Sequence, residues 1–273
     1  MGIDQIVIDA ARPRKSLDLR ELWRYRDLLY VLVRRDVAVR YRQTALGVLW
    51  AILQPLATML IFTLIFGRLA RMPSDGLPYS LFAFAGLLPW IFFASTLNAV
   101  GNSVVNSSNL VTKVYFPRLI IPLAAIGAPC LDLFISTLFM CALMAIHGFW
   151  PAWSALWLPV LFLAVVVTAV GTGSLIAALN VSYRDFRHLL QPLITLWLFA
   201  TPVIYPPAIV PEDWRWLLFL NPMAGIVTAI RAAWFGLPFD LTGLGLSLAV
   251  SVCLLIIGLS YFRSVERRFA DII

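Results

Sequence analysis

The chain has 273 residues, of which 61% are hydrophobic and only 13% are charged. Soluble domains carry about 25% charged residues, so this composition excludes a soluble protein and indicates an integral membrane protein. The formal net charge of +7 is better explained by an uneven distribution of basic residues across a membrane than by nucleic-acid binding. We therefore expect membrane lipids as partners and no nucleic acid.

Residues 1–43 form the first predicted unit, a cytoplasmic lead-in followed by an amphipathic helix. We expect this helix to begin near Asp18, with Glu21 three residues later as in a capping box, and to end near Arg42. Apolar side chains cover one side and arginines lie broadly opposite, which is typical of a helix in the membrane interface. The alternative is a soluble amphipathic helix that packs on another protein.

Residues 44–273 form the second predicted unit, an all-α domain of six transmembrane helices with a cytoplasmic tail. The first span, Leu46–Gly67, has 22 residues without a charge. At about 1.5 Å per residue these cover about 33 Å, enough to cross the hydrocarbon core of a bilayer. Small residues near the end of the fourth span favour close helix packing. The other predicted spans are Tyr79–Val100, Leu119–Ile146, Leu156–Leu179, Leu189–Ile204 and Leu244–Phe262.

The segment between spans five and six, Tyr205–Gly243, is rich in proline and interrupted by charges. Its apolar stretches, Trp216–Leu220 and Met223–Ile230, are shorter than the roughly 17 residues that a transmembrane helix needs. They predict two short re-entrant helices that enter the membrane partway, where irregular backbone must be buried in protein or line a cavity.

The basic residues predict the orientation of the chain. Seventeen Lys and Arg lie in the front end, the 101–118 and 180–188 loops and the tail, against four in the opposite loops. Because basic residues accumulate on the cytoplasmic side, both termini are expected in the cytoplasm.

No motif of a catalytic, nucleotide-binding or metal-binding site is present in the sequence. Lys15-Ser16 lacks the glycines of a phosphate-binding loop, and the two histidines are far apart along the chain. The three cysteines, Cys130, Cys141 and Cys253, lie in apolar runs and are expected to be small core residues. We therefore predict no catalytic residue, no metal and no cofactor on this chain.

Polar residues within or beside the spans leave two questions open. Asp132 is the sole acid in a predicted span, and it has either a structural pairing role or a role in a transport path. The loops Lys113–Arg118 and Tyr183–Arg187 combine aromatic and basic residues. Either their rings fold back to the interface, or the loops dock on a cytoplasmic partner.

Four stretches of the chain carry a family resemblance: RYRQTALGVLWAILQPLATMLIFTLIFG (40–67), NLVTKVYFPRLIIP (109–122), NVSYRDF (180–186) followed by TPVIYP (201–206), and the segment from Asn221-Pro222 to Arg231. In this order and spacing they resemble the membrane-spanning permease of ABC exporters that move polysaccharides such as O-antigen, capsule and teichoic acid.

The resemblance implies a multi-pass permease of the bacterial plasma (inner) membrane that forms a homodimer and binds two copies of a cytoplasmic ABC ATPase. ATP and Mg belong to that partner, so the chain itself is a transport subunit and not an enzyme. The implied substrate is a polysaccharide on polyprenyl diphosphate, with O-antigen foremost, moved from the cytoplasmic to the outer side. The implied ATPase-docking residues are Lys113, Tyr115, Phe116, Pro117, Arg118, Tyr183, Arg184 and Asp185.

Two further sets of residues follow from the same resemblance. The amphipathic helix would shape substrate entry, and its arginines suit a diphosphate group electrostatically; these are Arg34, Arg35, Arg40 and Arg42. The segment before span six would form an outer gate, with Pro206, Trp214, Trp216, Asn221, Pro222 and Arg231.

Three competing interpretations remain. A permease of the same fold could export drugs or lipids. A membrane glycan-processing enzyme would need longer, acidic catalytic loops, and a secondary transporter would need repeats or mid-membrane ionisable residues. Stoichiometric copurification of an ATPase separates the ABC permeases from the other two.

Overall fold

The computed structural model describes residues 19–42, 49–113, 116–183, 185–266 and 269. Within these ranges the protein is mostly helical and has no strand, which confirms the predicted all-α membrane fold. Pairs of helices follow one another through short turns. The α-helices are α1 (Leu19–Arg24), α2 (Arg26–Arg42), α3 (Trp50–Phe62), α4 (Tyr79–Asn106), α5 (Ser108–Lys113), α6 (Ile120–Ala124), α7 (Gly127–Ile146), α8 (Leu158–Ser182), α9 (Phe186–Ala200), α10 (Glu212–Phe219), α11 (Pro222–Phe235) and α12 (Leu241–Val265).

Within the described chain, five stretches are long and apolar enough to cross a membrane: Trp50–Leu69, Tyr79–Asn106, Ile120–Ile146, Trp153–Ser182 and Leu241–Val265. They correspond to predicted spans one to four and six. Helix α4, which corresponds to predicted span two, continues six residues beyond the predicted end at Val100. The polar residues that follow Val100 remain helical up to Asn106.

Helix α9 lies at the predicted fifth span but begins three residues earlier, at Phe186, and ends four residues earlier, at Ala200. Helix α9 has 15 residues, or about 22 Å, less than the roughly 30 Å of a hydrocarbon core. It ends at Ala200 because Thr201 precedes Pro202 and takes an extended conformation, φ −102° and ψ 139°, as residues before proline do. The predicted end at Ile204 is therefore wrong, and α9 alone does not meet the length of a span.

The segment before α12 contains the two short helices that the sequence predicts. Helices α10 and α11 are bent by 102° relative to each other. Taken together they form a sixth candidate span or a re-entrant loop. They are longer than the apolar stretches that predicted them, because α10 includes charged residues in its first turn and α11 continues to Phe235.

Helices α4 and α8 form the centre of the molecule. In α4, 78% of the most apolar stretch is buried, against 11% for the span that contains α3.

The predicted close packing of small residues in span four is confirmed: a Cβ on Gly258 of α12 would lie 1.9 Å from the carbonyl oxygen of Gly171 in α8. The Thr168 hydroxyl donates to Ser251 Oγ at 2.8 Å across the same pair of helices. These contacts fix α12 against α8 at backbone distance.

The amphipathic helix is interrupted at Tyr25, which separates α1 from α2. Leu32 is buried, and a Cβ on Gly127 of α7 would lie 2.5 Å from Val33 Cγ1. Thus one side of α2 packs on α6 and α7 of the same chain, which neither sequence interpretation foresaw. The predicted boundary between residues 43 and 44 falls outside the described residues and stays a prediction.

The three cysteines are exposed, two on α7 and one on α12. Their predicted placement in the core is wrong, since these helices are among the least buried candidate spans. An apolar sequence neighbourhood in a membrane protein does not separate side chains packed in protein from side chains that face lipid.

Candidate functional site

A cleft of about 940 Å³ opens between α3, α4, α7 and α9, close to the C-terminal end of α2. Its volume is at the upper end of the range of ligand pockets, about 300–1,000 Å³. The helices around it come from distant parts of the sequence, so the cleft is a product of the tertiary fold.

Polar side chains run along the walls of this cleft at intervals of four residues. A four-residue interval places side chains above one another on one helix face, so each helix presents a polar ladder to the cleft. The members are Gln54 and Thr58 on α3, Asn98, Asn102 and Asn106 on α4, Asp132 and Ser136 on α7, and Arg187, Gln191 and Thr195 on α9. We call these residues the polar ladders.

Two of the ladders touch across the cleft. Asn98 Nδ2 donates to Gln191 Oε1 at 3.3 Å, joining α4 to α9. Indole rings share the lining: Trp90 is buried and Trp50 is 51% exposed. The wall thus combines hydrogen-bonding side chains, most of them uncharged, with flat apolar rings.

The wall of the cleft carries an ion pair between α2 and α7. Arg40 Nη2 lies 2.5 Å from Asp132 Oδ2, and the Tyr41 hydroxyl donates to Asp132 Oδ1. Arg40 Nη2 also donates to Ser95 Oγ at 3.4 Å. Burial and the bond to Asp132 raise the pKa of Tyr41, so its hydroxyl remains a donor at neutral pH. Of the two roles left open for Asp132, pairing is observed, and it occurs within the cleft wall.

The arginines predicted to contact a diphosphate separate into two groups. Arg40 lines the cleft. Arg34, Arg35 and Arg42 are exposed on α2 and do not belong to the lining, and Arg35 pairs with Asp36 at 2.9 Å. Their contact with a diphosphate stays a prediction. Arg187, which the sequence analysis placed in the second docking loop, lines the cleft, and its spacing of four from Gln191 was the available signal.

The predicted docking loops differ in exposure. Phe116 is buried, with 4% exposed, and Pro117 and Arg118 are half-buried. The Arg118 guanidinium lies 6.0 Å from the ring centroid of Phe269. The Phe116 ring is therefore packed inside the protein, which neither the interface alternative nor the docking alternative described.

The remaining docking residues divide between exposed and undescribed positions. Lys113, Tyr183 and Asp185 are exposed, while Tyr115 and Arg184 lie outside the described residues. Both loops adjoin one apolar cluster, which we call the loop-end cluster. It consists of Leu32, Val104, Val111, Phe116, Leu119, Ile120, Ile121, Ala124, Ala177, Ala178, Val181, Phe262 and Phe269.

Two residues of the predicted outer gate hold the backbone between α9 and α12. Asn221 Oδ1 accepts from Met223 N at 3.0 Å and from Trp197 Nε1 at 2.8 Å, capping α11 and joining it to α9. Arg231 is 2% exposed. Its Nη2 donates to the carbonyls of Pro202 at 3.1 Å and Val203 at 2.8 Å.

Other members of the predicted gate lie nearby. Arg231 is also 3.7 Å above the ring centroid of Phe82. Pro206 and Pro222 are buried, and Trp214 and Trp216 are exposed on α10. These positions give Arg231 and Asn221 a structural role, and a gating role for the whole set stays a prediction.

Comparison with known proteins agrees with this architecture. A family model described as ABC-2 type transporter matches residues 27–235. The O-antigen export system permease protein RfbA of Myxococcus xanthus is 36% identical over 257 residues, covering 93% of this chain and 98% of that protein. An RfbA of Klebsiella pneumoniae is 29% identical over 248 residues, covering 90% and 95% of the two chains. The polysialic acid transport protein KpsM of Escherichia coli is 24% identical over 235 residues, covering 85% and 91%.

These similarities confirm the predicted resemblance and the prediction of a transport subunit rather than an enzyme. The family match covers most of the chain, from α2 to the end of α11. The match to the Myxococcus relative extends over nearly the full length of both proteins. The chain belongs to the ABC-2 type transporter family of membrane proteins.

Proposed function

We propose that this chain is the membrane subunit of an ATP-driven exporter that moves a polysaccharide on polyprenyl diphosphate out of the cytoplasm. The names of the relatives support the polysaccharide, with O-antigen as the first choice. The observation that carries the proposal is the set of polar ladders in a cleft among apolar spans.

The chemistry of the ladders suits a sugar chain. Sugar hydroxyls both donate and accept hydrogen bonds, as do the carboxamides of Asn and Gln and the hydroxyls of Ser and Thr. Repeated weak sites along a helix allow a chain to bind and move on, whereas a single tight site would hold it. The indole faces of Trp50 and Trp90 offer apolar surfaces for sugar rings. This lining favours a glycan over the drug or lipid cargo of the alternative permease.

The carrier's diphosphate would bind at the arginines that line the cleft. Arg40 and Arg187 both reach the lining, and guanidinium groups bind phosphate oxygens in a bidentate manner. Because Arg187 lies in the first turn of α9 and is the last residue of the second docking loop, the part of the cleft that it lines is the cytoplasmic part in our proposal.

Energy for transport would come from a partner. Membership of the ABC-2 family implies pairing with an ABC ATPase, which would hold ATP and Mg. We propose that two copies of the ATPase dock on a homodimer of this chain through the exposed side chains of Lys113, Tyr183 and Asp185. Burial of Phe116 in the loop-end cluster would transmit movement of the first loop to α2, α4 and α8.

The multi-pass chain would lie in the bacterial inner membrane. The ratio of seventeen inner to four outer basic residues supports cytoplasmic termini. Arg231, counted among the outer residues, is buried, so its removal from the count leaves the bias intact.

Deletion and copurification test this proposal. We expect the tagged chain to copurify with an ABC ATPase in equal amount, and deletion of its gene to remove a surface polysaccharide that the intact gene restores. Copurification with intact surface glycans after deletion would instead support the export of drugs or lipids. Absence of an ATPase from the purified protein would refute the exporter.

A further inference from the structure

In the ion pair of the cleft wall, the Asp132 carboxylate is the anion that Arg40 binds. Both carboxylate oxygens of Asp132 are bound by the last turn of α2, one by Arg40 and one by the Tyr41 hydroxyl. All three residues line the cleft. The Asp132 side chain is 16% exposed, whereas that of Arg40 is 42% exposed. The guanidinium is therefore the more accessible partner of the pair.

We propose that Asp132 is an internal counter-ion. It is a positioning residue whose carboxylate holds Arg40 until the diphosphate of the substrate takes the place of that carboxylate. This inference rests on the proposed function, because that function supplies the lipid-linked diphosphate. No covalent step is involved; a phosphate oxygen takes the place of a carboxylate oxygen on the same guanidinium.

Each charged group has a partner both before and after the diphosphate binds. With the cleft empty, Asp132 neutralises the charge of Arg40, which also donates to the uncharged hydroxyl of Ser95. With the diphosphate bound, Asp132 retains the hydrogen bond from Tyr41, so its partly buried charge keeps a donor. Tyr41 thus makes the exchange possible, since a carboxylate with Arg40 as its sole partner would be left unpaired.

Competition also sets the direction of the expected effect. The Asp132 charge occupies Arg40 and repels an incoming anion. Asp132→Asn removes both effects, so it should tighten diphosphate binding. Competition between a resident and an incoming group of this kind is a coupling free energy, and typical couplings correspond to roughly 5- to 150-fold in affinity. We expect a change of about tenfold.

The test is a binding measurement on the full chain in lipid nanodiscs with farnesyl diphosphate, a soluble polyprenyl diphosphate. We expect Asp132→Asn to bind it about tenfold more tightly than wild type, and Arg40→Gln to lose binding in either background. Asp27→Asn is the matched control: it removes one negative charge from α2, where Asp27 lies 3.9 Å from Arg26 and neither residue lines the cleft, and it should leave affinity unchanged.

Two further ligands check that the effect concerns the anion. Farnesol, which lacks the diphosphate, should show the same affinity for wild type and Asp132→Asn. Inorganic diphosphate should gain affinity in parallel with farnesyl diphosphate. An equal gain for farnesol, or a gain for inorganic diphosphate alone, would overturn the proposal, since neither pattern describes a lipid-linked diphosphate at Arg40.

Unchanged or weaker binding of farnesyl diphosphate by Asp132→Asn would also overturn it. Asp132→Ser is the second uncharged variant, and thermal unfolding verifies that each chain is folded. If neither variant folds, Asp132 is a purely structural counter-ion and the inference fails. Export of surface polysaccharide by wild type is measured separately, so an active exporter with an unresponsive Asp132 would refute the inference alone.

Discussion

Replacing Arg231 by alanine should destabilise the protein, because this side chain supports the turn that follows α9. Arg231 is 2% exposed, and its Nη2 donates to the carbonyls of Pro202 and Val203 at 3.1 and 2.8 Å. Without it two buried acceptors lose a partner, each at a cost of about 1–3 kcal/mol. A cavity adds about 2–5 kcal/mol, and relief from burying a charge returns about 1–4 kcal/mol. The midpoints of these ranges give an expected net loss of about 5 kcal/mol.

The assay is the free energy of unfolding of the purified chain in detergent, measured by denaturant titration. Arg26→Ala is the matched control, since Arg26 lies on α2 with its side chain 60% exposed, 3.9 Å from the exposed carboxylate of Asp27. Exposed pairs contribute about 0–1 kcal/mol. Arg231→Met, which fills the cavity, should fall between the two. An Arg231→Ala chain as stable as wild type that no longer exports would refute this reasoning and support the predicted outer gate.

The two docking loops give opposite expectations for their aromatic residues. Phe116→Ala should lower the free energy of unfolding by about 3–5 kcal/mol, because the ring is 4% exposed within the loop-end cluster; unchanged stability would contradict that burial. Tyr183→Ala should leave stability within about 0.5 kcal/mol, because the ring is 59% exposed, but should reduce copurification of the ATPase. Full retention of the ATPase by Tyr183→Ala would remove this residue from the docking surface.

Much of the fold could be predicted from the sequence because transmembrane helices depend on local composition. Charge-free runs and polar turns located the five long spans, and the prolines before α12 predicted two short helices. The end of α9 is also local in origin, since Pro202 restricts Thr201. That restriction is readable in the sequence, but the apolar residues beyond it extended the predicted span to Ile204.

The site was less predictable because it depends on which helices face one another. The four-residue spacing of Asn98, Asn102 and Asn106 is visible in the sequence, but their position opposite Gln191 arises from the packing of α4 beside α9. The partnership of Arg40 with Asp132 joins residues 92 positions apart.

The burial of single residues could not be predicted from composition either. Arg231 was counted as a basic residue of an outer loop, yet it lies in the core. Cys130 was expected in the core because its neighbours are apolar, yet it is exposed. In a membrane protein an apolar neighbourhood suits lipid contact and protein contact equally, so hydropathy alone cannot assign either residue.

Export by a chain with altered polar ladders tests the central claim most directly, because that claim assigns the sugar path to the cleft. In the double variant Asn98→Leu and Gln191→Leu, the 3.3 Å contact across the cleft is replaced by apolar side chains. Ser260→Leu, an exposed position on α12 outside the lining, is the control. We predict that the double variant folds and copurifies with its ATPase but exports at least about tenfold less surface polysaccharide, corresponding to about 1.4 kcal/mol. Wild-type export by the double variant would contradict the account.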